Sequence, residues 1–309
     1  MWSHSTKSLC ISRSAALTQQ RAHDALAVAK ALLFGTDNCP VPSQHFNVVR
    51  DAIKPYQKPQ QQRKVQLQLT LRELSQFAQR TIPNDHMEGG SLSTVTFGSV
   101  VAPLLDVAAV LESSARAYLD KIITCVPSAR GIVTNLDKHS VLRIWLYQEG
   151  ADCRTHCDPG LATALLQGSQ SGLEVTFDEV APFRLASGDY RSTKRRSALD
   201  GDDQSISCDD VIWTPAEELV RSSSLSSSGA STEYEPVLIM AGTQTQVLTS
   251  HRIRGVPHRV VNVGPNASCS AAPRVNIILE LRPEFPKQWY GFEPVDSEMR
   301  SLDSFIHKH

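Results

Sequence analysis

The feature that most limits how this chain can fold is a change of hydrophobic period near Gly131. Before it, apolar residues recur at helical spacing. After it, they fall in short runs or alternate with polar residues. Ahead of the change, residues 100–124 carry Leu104, Val107, Leu111, Ala115 and Leu119 along one face, with Tyr118 and Ile122 beside them. That spacing predicts a long amphipathic helix. Residues 14–33 and 65–79 are predicted as two further helices, with 53–62 as a polar, proline-interrupted loop between them and a break at 83–90. Beyond Gly131, strands are predicted at 141–147, 163–167, 173–177, 237–241, 260–263 and 274–281, and a shorter one at 211–215. Helices followed by a run of strands imply a mainly β core with an α-helical N-terminal part.

The expected organisation is a helical region over 1–130, a β domain over 131–290 and a C-terminal tail over 291–309. Two stretches interrupt the β domain, at about 186–207 and 221–232. Both are rich in serine, and the first is also charged. They hold too few apolar groups to offset the entropy of ordering and are predicted to be disordered insertions. Lys194-Arg-Arg-Ser197 lies in the first and is expected to be a solvated charge run.

Within the β domain, His156 and Asp158 are two positions apart. In extended chain such residues project to the same side, so one metal ion can touch both. Cys157 points the other way. Pro159-Gly160 ends the segment at once, which favours a strand edge over a helix. A third ligand must come from a distant strand, and His258 stands where apolar alternation begins again. Two histidines and one carboxylate are the usual ligand set of non-haem Fe(II) oxygenases. Further on, Arg274 and Asn276 share one face of a predicted strand. A guanidinium facing a β core is costly unless an anion meets it, and its planar fork suits a carboxylate. That carboxylate belongs either to the protein or to a ligand.

A longer set of words carries a resemblance. They are Leu142-Arg-Ile-Trp-Leu-Tyr147, His156-Cys-Asp-Pro-Gly-Leu161 with Leu165-Leu-Gln167, and Gly172-Leu-Glu-Val175. They continue with Trp213-Thr-Pro215, Leu238-Ile-Met-Ala-Gly242, the run from Ser250 to Asn262, and Arg274-Val-Asn276. In order and spacing, the chain from about residue 140 to 285 resembles the isopenicillin-N-synthase-like family of Fe(II)/2-oxoglutarate-dependent oxygenases. The resemblance implies a double-stranded β-helix (jelly roll) core. It implies Fe(II) on His156, Asp158 and His258, and 2-oxoglutarate as co-substrate with its distal carboxylate on Arg274. Tyr147 falls where such enzymes often keep a tyrosine that also touches that carboxylate, on one strand face with Trp145 and Arg143. The implied reaction oxidises a small organic substrate with O2 and gives succinate and CO2. Asn276 stands where the family usually has serine, and the family's N-terminal strand is not recognisable before Ser43. The alternative from another class is a non-catalytic binding module that keeps the fold.

The remaining properties set limits. Lys and Arg total 31 against 32 Asp and Glu, a net charge of -1. This gives no electrostatic case for nucleic acid or an anionic membrane as partner. No apolar run reaches the roughly 18 residues of a membrane span. The 7 cysteines are odd in number and scattered, which fits a reducing compartment rather than a disulfide framework. A cytoplasmic monomer is expected. The first acidic residue is Asp24, after Lys7, Arg13 and Arg21, so a mitochondrial presequence is compatible, though an ordinary first helix is the plainer reading.

Overall fold

The computed structural model describes residues 8–34, 43–61, 63–82, 95–168, 171–177, 211–225, 234–261, 273–284 and 294–307. The N-terminal part runs β1 (Leu9–Thr18), α1 (Gln19–Phe34), α2 (Ser43–Ile53), β2 (Gln57–Gln61), β3 (Lys64–Thr70) and α3 (Leu71–Ala78). Next come β4 (Thr81–Ile82), β5 (Val95–Thr96), α4 (Phe97–Val100), α5 (Ala102–Cys125) and α6 (Leu136–His139). The strand-rich part holds β6 (Val141–Tyr147), β7 (Cys153–His156), β8 (Ala162–Leu166), β9 (Leu173–Val175), β10 (Thr214–Pro215) and α7 (Ala216–Leu225). It ends with β11 (Tyr234–Ala241), α8 (Thr243–Leu248), β12 (His258–Val260), β13 (Arg274–Leu281) and α9 (Asp296–His307).

Seven strands pair in the order β1-β11-β8-β13-β6-β3-β2, and four in the order β10-β9-β12-β7. Every pairing in both sheets is antiparallel. The large sheet divides its side chains by strand parity. Leu142, Ile144 and Leu146 of β6, Val275, Ile277, Leu279 and Leu281 of β13, and Ala164 and Leu166 of β8 join one apolar cluster. The helices complete that cluster through Leu104, Val107, Leu111, Ala115 and Leu119 of α5 and Ala25, Val28 and Leu32 of α1. Each large side chain so buried contributes about 1.5–3 kcal/mol.

The opposite parity faces the small sheet. Leu9, Ile11, Leu165, Leu238 and Met240 meet Leu173, Val175, Val256 and Val260 there in a second cluster. Toward β13, β6 and β3 this inner face turns polar, with Arg274, Asn276, Glu280, Arg143 and Gln66. Apolar packing thus closes one side of the space between the sheets, and polar groups line the other.

The long helix and most β-domain strands agree with the sequence pattern. Three N-terminal expectations are corrected. The helix expected over 65–79 is strand β3 followed by α3, because the period changes from two to helical at Thr70. Thr70 caps α3 reciprocally with Glu73, whose side chain accepts from the Thr70 backbone N–H at 2.7 Å. The 53–62 loop is a short 3₁₀ turn, Lys54–Tyr56, and then β2 paired on β3. The helix expected from residue 14 begins only at Gln19. Before it, β1 supplies the N-terminal strand that the pattern hides, paired on β11 from Leu9↔Met240 to Arg13↔Pro236. Strands β1, β2 and β3 all belong to the large sheet. The expected strand at 211–215 reduces to β10, and the helix α7 runs to Leu225, into the second serine-rich stretch. The stretch 186–207, with Lys194–Ser197, and residues 226–232 lie outside the described residues.

Candidate metal centre

The turn after β7 is held by backbone. Thr243 N–H donates to the Asp158 carbonyl at 2.9 Å, Gln244 N–H to the Gly160 carbonyl at 3.1 Å, and Gly242 N–H to the Leu161 carbonyl at 2.9 Å. The approach is so close that a Cβ on Gly242 would stand 2.0 Å from the Gly160 carbonyl oxygen. The start of α8 therefore grips the segment that carries Asp158.

His156 closes β7, and His258 opens β12 as its direct register partner. Their rings lie 4.3 Å apart between centroids. Asp158 sits between them, with Oδ1 3.9 Å from His156 Nε2 and Oδ2 3.8 Å from His258 Nε2. One ligand atom from each of the three lies within 4.8 Å of the others, a spacing that one metal ion can bridge. Cys157 takes no part in this cluster.

The groups behind the ligands set their orientation. His156 Nδ1 lies 2.8 Å from the Arg154 carbonyl and His258 Nδ1 3.0 Å from the Val256 carbonyl. A carbonyl can only accept, so each Nδ1 carries a proton and each Nε2 faces inward as the atom that can meet a metal. Thr163 Oγ1 donates to Asp158 Oδ2 at 2.6 Å. Burial opposes the charge on Asp158, but His258, the Thr163 hydroxyl and His156 prevail and hold its carboxyl below the usual range. Burial pushes His258 down, toward the neutral ring a metal requires. His156 is the exposed member, its side chain 43% accessible. Burial disfavours its cation, but the Cys153 thiol 3.9 Å from Nδ1, with Asp158, outweighs that and raises its pKa to about 9.

Arg274 pairs with Tyr147 across β13 and β6, and both are buried. Its Nε donates to Asn276 Oδ1 at 3.1 Å and its Nη1 to the Ser171 carbonyl at 2.9 Å. Nη2 is buried and has no hydrogen-bond partner among the described residues. No carboxylate within the described residues forms an ion pair with it. Burial lowers its pKa, and Tyr147 and Glu217 act in the opposite sense. Glu217, from the first turn of α7, accepts from Gln167 Nε2 and leaves Oε2 buried with no hydrogen-bond partner among the described residues. Thr163 and Glu217 are residues beside the site that the sequence pattern does not single out, and Gln167 stands there only within a matching word, without a role. Strand parity was the available signal for Thr163, which shares the inner face with Leu165.

The donor set fits a divalent cation once His156 has given up its proton, with two imidazoles and one carboxylate on one side and nothing from the described residues opposite. With their ligand atoms within 4.8 Å of one another, the three side chains would need only small shifts to hold one ion.

No family model matches this chain, and no curated protein matches it. Solved structures do. One is a 2OG-Fe(II) oxygenase family protein from Caulobacter crescentus, 18% identical, covering 99% of this chain and 91% of that one, with a TM-score of 0.49. Another is the Arabidopsis thaliana dioxygenase for auxin oxidation 1 in its 2-oxoglutarate complex, 13% identical over 94% and 88%, TM-score 0.47. A third is the rice dioxygenase for auxin oxidation, 14% identical over 97% and 86%, TM-score 0.47. Likeness at this level leaves fold and function to be argued from the chain's own residues.

Proposed function

We propose that the chain is an Fe(II)- and 2-oxoglutarate-dependent oxygenase on a double-stranded β-helix, the jelly roll formed by the seven- and four-stranded antiparallel sheets. The observation that carries this reading is a pair of features in one hollow. The first is the convergence of His156, Asp158 and His258. The second is a buried guanidinium, Arg274, with an unpartnered Nη2. A buried donor without an acceptor costs about 1–3 kcal/mol, which a ligand carboxylate relieves.

His156, Asp158 and His258 would hold the iron, which when bound supplies activation of O2 next to the substrate. Arg274 receives the distal carboxylate of 2-oxoglutarate. Asn276 aligns Arg274 through its own Oδ1 and keeps its amide donors for the ligand. Tyr147, buried beside Arg274, keeps its proton because burial pushes its pKa up, so it can donate to the same carboxylate. The apolar residues between the sheets exclude water from the remaining side of the hollow. In balance, one substrate C–H, one 2-oxoglutarate and one O2 give one C–OH, one succinate and one CO2; desaturation is the other outcome open to such a site. The substrate is a small organic molecule, and the chain acts as a monomer. No helix among the described residues is long and apolar enough to cross a membrane.

The test is anaerobic reconstitution with Fe(II) and 2-oxoglutarate. A weak visible charge-transfer band, followed in air by succinate and CO2, supports the enzyme. Binding without turnover across a broad substrate panel returns the chain to a non-catalytic binding module. Absence of both bindings, matching a His156→Ala control, ends the reading.

A further inference from the structure

The inner face of the large sheet carries a second cationic site. Arg143 lies on β6 four residues before Tyr147, opposite Ile278 of β13, whereas Tyr147 is opposite Arg274. Four residues of strand span about 13 Å at about 3.3 Å each. The two guanidiniums are also held by different partners, Glu280 and Gln68 for Arg143, and Asn276 and the Ser171 carbonyl for Arg274.

The charges around Arg143 do not cancel. Its Nη1 donates to Glu280 Oε2, and its Nε to Gln68 Oε1 at 3.2 Å. Glu280 is 0% exposed and also holds Arg282, Nε to Oε1 at 2.7 Å and Nη2 to Oε2 at 2.8 Å. One carboxylate thus answers two guanidiniums. Lys58 Nζ adds a third cation, 3.1 Å from the same Gln68 Oε1, which also accepts from Gln66 Nε2 at 3.2 Å. A neutral amide oxygen with two lone pairs is taking three donors, two of them charged. Arg143 Nη2 makes no hydrogen bond among the described residues and, unlike Arg274 Nη2, keeps access to the hollow, on a side chain 14% exposed.

This surplus lies beside the metal ligands. Glu280 is the register partner of Thr163, which holds Asp158, and the Arg143 charge is felt at the Asp158 carboxyl. Two residues along β6, half-buried Trp145 lies between Arg143 and Tyr147 on the same face.

We infer that the substrate is an organic acid whose carboxylate docks on Arg143 Nη2, with Lys58 at the rim and its apolar body along Trp145. The inference rests on the oxygenase reading for what happens to the acid, but not for its binding. A single free guanidinium nitrogen with one ammonium suits a carboxylate monoanion better than a phosphate dianion.

The experiment measures binding by calorimetry to the full chain with Mn(II) and saturating 2-oxoglutarate, without oxygen, so that Arg274 is already occupied. The probes are phenylacetate, 4-phenylbutyrate and octanoate, each beside its primary amide, and phenyl phosphate. At least one acid should bind tenfold or more tighter than its amide. Arg143→Gln should erase that preference, and Arg143→Lys should restore part of it, each measured at Mn(II) and 2-oxoglutarate concentrations that saturate that variant. Acids and amides that bind alike, or not at all, to the unaltered chain overturn the inference without any variant, even if Arg143→Gln fails to fold. Phenyl phosphate binding tighter than phenylacetate overturns the carboxylate assignment. Failure of the oxygenase reading shows separately, as no uptake of Mn(II) or 2-oxoglutarate, and the acid–amide contrast is then read on the chain alone.

Discussion

His156 and His258 are register partners across the β7–β12 ladder, and each ring is tied through Nδ1 to the carbonyl two residues before it. Main-chain pairing and side-chain orientation are therefore one arrangement, and a ligand cannot turn away without breaking a hydrogen bond.

His258→Ala should abolish stoichiometric Mn(II) or Co(II) binding in calorimetry. Thr163→Val keeps all three ligands but frees the Asp158 carboxylate, and should weaken the metal about 10–100-fold, as loss of an outer partner does. Equal affinity in Thr163→Val and the unaltered chain would show that Asp158 is oriented by other means.

Metal binding should depend on pH through His156. Its pKa is raised to about 9, so in the metal-free protein it is a cation near neutrality, and binding must expel one proton. Affinity for Mn(II) should rise about tenfold per pH unit up to about 9 and then level off. The Asp158 carboxyl, held low, adds nothing in that range. Cys153→Ala removes a group that favours the cation, so the plateau should begin at lower pH, read from calorimetry in buffers of differing ionisation enthalpy.

Arg274→Gln removes the charge but keeps donors and should raise the Kd for 2-oxoglutarate on the order of 30-fold or more, about 2 kcal/mol and upward. Arg274→Lys should recover little, because an ammonium cannot replace the fork that Asn276 and the Ser171 carbonyl align. Equilibrium dialysis with labelled 2-oxoglutarate measures both.

Glu217 is expected to work against the proposed co-substrate. Its Oε2, without a partner among the described residues, is buried within electrostatic reach of Arg274, where the proposed co-substrate would bring a second carboxylate. Glu217→Gln can keep the Gln167 contact and should tighten 2-oxoglutarate by about three- to tenfold, worth about 1 kcal/mol. Unchanged or weaker binding would place Glu217 outside the co-substrate's field.

Gly242→Ala should disturb fold and site together. The added Cβ would lie 2.0 Å from the Gly160 carbonyl oxygen and 3.0 Å from that of Asp158. The turn must shift, so denaturant unfolding should register a loss of about 1–3 kcal/mol, and Mn(II) affinity should fall with it.

The convergence of His156, Asp158 and His258 was legible because their spacing states a geometry. His156 and Asp158 two apart can face one ion in extended chain, and His258 begins the strand that meets them. The strands β6 and β13 were legible because both sides of each repeat at period two. What escaped were elements whose two periods overlap. Leu67, Leu71 and Leu74 fit a helix as well as a strand that becomes one, and only Thr70 with Glu73 marks the change. Strand β1 escaped because Ser12 and Arg13 interrupt its apolar alternation while it borrows stability from β11, a partner distant in sequence. Glu217 escaped because its importance depends on α7 delivering it to Arg274, which no local pattern announces.

Along β6 and β3 the large sheet keeps helix packing and polar side chains on separate parities. Residues such as Leu142, Ile144 and Leu146 anchor the helices, while Arg143, Trp145 and Gln66 between and beside them face the hollow. Libraries confined to that second set can therefore retarget the protein to new compounds while the hydrophobic foundation stays in place. A change of clientele asks for every other residue of two strands, and no redesign of the scaffold.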